Sequence, residues 1–147
     1  MTLSCTATDR ADLLTVAERI RFSAGRPFTL PFALLRMPNG MRLVGAGYED
    51  EMPVIALSRR GSEAFVLVTV AASEPVGRRV TFDGVDYRLQ TAAFSRRLCR
   101  AVQSMSICVE ALTTDMAAQK EVFRSLRLAP DLQDRSTWFD AREALPG

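Results

Sequence analysis

The stretch LCRAVQSMSICVEALTTDM, Leu98 to Met116, decides how the rest of the chain is read. Its apolar residues recur at alternating steps of four and three. On a helical wheel at about 100° per residue, Leu98, Val102, Met105, Val109, Leu112 and Met116 form one stripe, continued by Phe123. Ala101, Ser104, Cys108 and Ala111 form a second stripe of small residues beside it. The pattern predicts a long helix from near Ser95 to about Arg127, bent or broken at Thr113–Asp115 and stopped by Pro130. Nine steps on a straight helix turn through about 900°. Cys99 and Cys108 are then expected on opposite sides, unable to pair or to share a metal. Ile107 falls opposite the main stripe, among Arg96, Arg100, Gln103 and Glu110. A helix that buries it touches something on two sides.

Upstream, Asp9 is a candidate cap for an amphipathic helix over residues 10 to 23, with Leu13, Val16, Ala17 and Ile20 on one face. The period then changes to two. Three hairpins are predicted. Leu30–Arg36 and Met41–Ala46 flank Pro38-Asn39-Gly40, Pro53–Ser58 and Ala64–Ala72 flank Arg59–Ser62, and Arg79–Phe82 and Val85–Thr91 flank Asp83-Gly84. Phe65–Val70, apolar on both faces apart from Thr69, reads as a central strand. The expected fold is one α+β domain over residues 1–147: an N-terminal helix, about six strands in an antiparallel meander, a long C-terminal helix on the sheet, and a short helical tail over 130–147. Residues 1–8 are expected to be flexible.

At 147 residues, with 48% apolar and 24% charged residues, the composition is that of an ordinary globular domain. No run approaches the ~20 apolar residues of a membrane helix, and the first residues do not form a secretory signal. A cytoplasmic location without membrane insertion is the expectation. Three cysteines without regular spacing do not suggest a disulfide framework.

The chain has no histidine, which removes Ser-His-Asp and Cys-His catalysis and histidine metal sites. No phosphate loop, dinucleotide-binding glycine pattern or EF-hand is present. No catalytic residue, metal ligand or cofactor is therefore assigned. Three arginine pairs, Arg59-Arg60, Arg78-Arg79 and Arg96-Arg97, with Arg100 one turn on, are candidate anion-binding residues if they converge. A net charge of +2 does not favour a nucleic-acid partner. Glu49, Asp50 and Glu51 form a candidate acidic docking loop. Ile107, Trp138 and Phe139 are candidate partner contacts, the last two also suited to closing the domain's own core.

These features lead to a non-enzymatic binding or adaptor module that acts through protein–protein contact, as a homodimer or with another protein. The layout is similar in outline to dimeric secretion chaperones, which implies a chaperone-like role as one form of that module. A pocket between sheet and long helix, binding or acting through Asp, Glu, Tyr or Arg, is the second reading. An anion or nucleic-acid binder using the arginine pairs is the third.

Overall fold

A computed structural model describes residues 28–38, 40–49, 51–59, 65–111 and 116–146. The molecule is mostly β. Seven strands form one antiparallel sheet in the order β3-β4-β5-β9-β8-β7-β6. They are β3 (Met41–Glu49), β4 (Met52–Arg59), β5 (Phe65–Ala71), β6 (Arg78–Phe82), β7 (Val85–Thr91), β8 (Arg96–Val102) and β9 (Met105–Ala111). Two small ladders flank this sheet. One pairs β1 (Thr29–Leu30) with β11 (Phe139–Asp140), the other β2 (Phe32–Leu34) with β10 (Leu126–Leu128). The described helices are α1 (Met116–Ser125), α2 (Ala141–Ala144) and a 3-10 turn at Arg135–Thr137.

This corrects the expected α+β layout. Residues 96–111 are not a long helix but the β8–β9 hairpin, and α1 keeps only ten residues of the expected span. The cause is a coincidence of periods. On a strand, residues two and four apart share a face. Leu98 and Val102 share one face of β8, and Met105 and Val109 share the same face of β9, because Val102 pairs with Met105. The two-residue turn Gln103-Ser104 inserts the odd step of three. Two even steps joined by that turn reproduce a 4-3-4 helical spacing. Both turn residues take positive φ, 51° and 68°, as a tight hairpin requires.

The hairpins β4–β5 and β6–β7 form where the turn residues suggested, and β5 lies inside the sheet between β4 and β9. The first predicted hairpin does not form. β2 pairs with β10 near the far end of the chain, and β3 pairs with β4 through the turn that carries Glu51. The helix expected over 10–23 lies outside the described residues.

Register assigns the two faces. Ile55 and Leu57 of β4, Val66, Val68 and Val70 of β5, Leu98 of β8 and Ile107 and Val109 of β9 lie on the core face. There they join one buried cluster with Val122 and Phe123 of α1, Phe32, Leu132 and Trp138. α1 is also held by polar contacts: the buried Gln119 Nε2 donates to the carbonyls of Arg96 at 2.7 Å and Val109 at 2.8 Å, spanning β8 and β9. Tyr87 stacks on Phe82 with centroids 3.9 Å apart, and Phe123 meets Tyr87 edge-on at 4.8 Å.

The opposite side, the cleft face, carries Glu49, Val54, Ala56, Leu67, Thr69, Ser106, Cys108, Glu110, Arg97, Cys99 and Arg88 by the same register. The β5–β6 connection crosses it. β6 lies four strand spacings from β5, about 19 Å. The seven steps from Ala71 to Arg78 reach at most about 24 Å, so residues 72–77 run nearly straight across the sheet. Arg88, a cleft-face residue, donates from Nη1 to the Gly77 carbonyl at 3.4 Å, and Ala72 and Ser73 line the cleft, so the two ends of this strap lie on the cleft side.

Candidate functional site

Adjacent residues on a strand point to opposite faces, and this separates the arginine pairs. Arg97 lies on the cleft face and Arg96 on the core face of β8. Arg79 and Arg78 divide in the same way on the edge strand β6. Arg79 Nη2 is paired with Asp86 Oδ2 at 2.6 Å. Arg100 lies on the core face and interacts with the Tyr87 hydroxyl. Arg59 ends β4 and is exposed, and Arg60 lies outside the described residues. The six described arginines are therefore divided between the two faces and the end of β4 rather than gathered in one cluster.

Ile107 is 1% exposed, packed in the chain's own core. Its burial thus needs no second subunit. Trp138 is buried and donates from Nε1 to the Leu132 carbonyl at 3.2 Å. Phe139 pairs with Leu30 and lies under the Arg127 guanidinium, 5.6 Å from ring centroid to Cζ. Both belong to the domain's own packing. In the acidic loop, Asp50 lies outside the described residues, and the Glu51 carbonyl accepts from Arg135 Nη2 at 3.0 Å. Glu49 turns onto the cleft face.

Glu49 marks the site that the geometry does assemble. A cleft of about 450 Å³ opens between the end of the β3–β4 hairpin, the end of β5, the start of the strap and β8. Glu49, Met52, Val54, Thr69, Ser73 and Arg97 supply its side chains. Its size falls in the range of small-molecule sites, and it combines an apolar floor with a few polar groups.

Behind Arg97 lies a group that the helical reading concealed. Glu110 is the direct register partner of Arg97 and is 5% exposed. Burial pushes its carboxyl up to about 7, the Arg97 charge and a hydrogen bond with Ser95 pull it down, and the Glu49 charge pushes it up again. Its Oε2 has no hydrogen-bond partner among the described residues. Two residues along the same ladder, on the same face, Cys99 and Cys108 form a disulfide with Cα atoms 4.1 Å apart. The expected separation of these cysteines is thus overturned: nine residues that turn a helix through half-integral turns bring two strand residues face to face across a hairpin.

A signal for Glu110 was present. A single carboxylate inside Ser106-Ile107-Cys108-Val109-Glu110-Ala111 is conspicuous once that run is a strand buried on both faces. On a helix it falls on a polar flank. Among the described residues, no group of three or more His, Cys, Asp or Glu side chains is placed to hold a metal ion, and no helix is long and apolar enough to cross a membrane. The chain matches no protein-family model, and no characterised protein shows significant similarity to it.

Proposed function

We propose that the chain is a small-ligand binding module whose site is the cleft between the β3–β4 hairpin, β5 and Arg97. The observation that carries this reading is the position of Arg97. It is half-buried on the cleft wall, and its nearest register partner, Glu110, is held close to half-protonated at neutral pH. Part of the guanidinium charge is then left to a ligand. Glu110 does not line the cleft. It acts on an occupant through charge rather than contact, which favours binding over acid–base catalysis. This reading moves the pocket from under the helix, where Val122 and the core strands pack closely, to the other side of the sheet. It keeps the binding module inferred from the sequence but replaces protein–protein contact as the mode of action.

The test is a screen of small amphipathic compounds by ligand-observed NMR on the full chain and on Ala71→Trp, which fills the cleft from the end of β5. Hits lost in a variant of unchanged melting temperature support the site. Hits that persist in that variant, or none at all, overturn it.

A further inference from the structure

We propose that the cleft takes a carboxylate with an apolar tail, and that the anion enters together with a proton that lodges on Glu110. The proposal rests on the reading of the cleft as a ligand site and adds the ligand's class and its control by pH. Arg97 presents a planar fork of donors suited to one carboxylate. Met52 and Val54 supply apolar surface for a tail, and the Thr69 and Ser73 hydroxyls lie on the same lining. Glu49 is the acidic member of that lining and already has an interaction of its own.

The proton coupling follows from what surrounds Glu110. Arg97 faces it from β8, Glu49 from β3 and the Ser95 hydroxyl from the β7–β8 connection. From β5 come only Leu67, its register partner, and Thr69, and along the hairpin the Cys99–Cys108 disulfide. Among the described residues, Arg97 is thus the positive charge that favours ionised Glu110. A carboxylate bound to Arg97 takes up that charge and adds a negative one, so the Glu110 proton is held more tightly. By linkage the protonated form binds the anion more tightly in return. The unpartnered Oε2 is a place for that proton. The proton comes from solvent; no covalent bond to the ligand is made.

The test is calorimetric titration of the full chain with hexanoate, hexanol and hexylamine at pH 6, 7 and 8, in buffers of different ionisation enthalpy. Hexanoate is expected to bind at least tenfold more tightly than the other two at pH 6. It is expected to take up a fraction of a proton at pH 7 and 8, and to weaken severalfold, at most about tenfold, from pH 7 to 8. Glu110→Gln, a neutral isostere, is expected to bind hexanoate with no proton uptake and with the same affinity at pH 6 and 8. Arg97→Leu is expected to lose at least tenfold for hexanoate and nothing for hexanol. Hexanoate binding without proton uptake in the wild-type chain overturns the coupling and needs no variant to fold. Hexanol or hexylamine binding while hexanoate does not overturns the ligand class and leaves the cleft reading standing. Binding of none of the three overturns both.

Discussion

Cys99 and Cys108 pair two residues along the β8–β9 ladder from Arg97 and Glu110, beyond the core-facing Leu98–Val109 rung, so both pairs project onto the cleft face. The disulfide ties β8 to β9 close to the charged pair. Both cysteines are almost fully buried.

Removing that bond is expected to loosen the hairpin. Cys99→Ala/Cys108→Ala closes no loop in the unfolded chain and is expected to lose about 2–3 kcal/mol. Urea unfolding of the double variant and of the wild type, with and without reductant, checks this. The wild type with reductant should approach the double variant, and the double variant should not respond to reductant. Equal midpoints for all four samples would remove the disulfide from the folded state.

The hairpin tip yields a second prediction. Gln103 Oε1 accepts from Leu132 N at 2.9 Å, and its Nε2 donates to the Pro130 carbonyl at 3.0 Å. Gln103→Ala leaves both main-chain groups without these partners and is expected to cost about 1–2 kcal/mol. Ser104→Gly relieves a positive φ of 68° without touching that clamp, and is expected to stabilise by up to about 1 kcal/mol. Thermal melts of the two variants should move in opposite directions.

The strap gives a third. Gly77 has φ +120°, and a Cβ there would lie 2.5 Å from the Leu89 carbonyl oxygen. Gly77→Ala is expected to cost about 2–3 kcal/mol and to free the crossing over the cleft face. Trypsin cleavage after Arg78 and Arg79 should quicken in the variant. Unchanged cleavage with an unchanged melt would mean that the strap tolerates a side chain at its anchor.

Local turn chemistry made part of this fold legible from sequence. Asp83-Gly84 and the run after Arg59 mark hairpins that form, and the two-sided apolar run from Phe65 places β5 inside the sheet. The pairing of β2 with β10 joins segments about 90 residues apart, and no local pattern records it. The stretch from Leu98 misleads for a specific reason. Its turn uses Gln and Ser where Asn-Gly would have signalled a hairpin, and the odd step across that turn imitates a helical stripe. Ile107 was the contradiction. It has no place on the stripe, yet at steps of two it shares one strand face with Met105, Val109 and Ala111. The site went unread with the fold. Glu110 becomes a buried carboxylate, and Arg97 parts from Arg96, only when the segment is extended.

Glu110 also ties stability to pH. Its carboxyl is raised from 4.5 to about 7 in the folded chain, chiefly by burial. The folded state therefore holds a proton that the unfolded chain releases. The favourable contribution is complete below pH 4.5, is lost as pH rises through that window, and is gone above about 7. At about 1.36 kcal/mol for each unit of pKa, the loss is on the order of 3 kcal/mol. Glu110→Gln keeps the shape and removes the ionisation. It is expected to be near wild type in stability at pH 4 and more stable by up to about 3 kcal/mol at pH 8. Urea unfolding at the two pH values measures the difference directly. Ionisation of other carboxylates cancels between the two proteins, so a gap that does not grow with pH would mean that Glu110 ionises in the folded chain as it does in water.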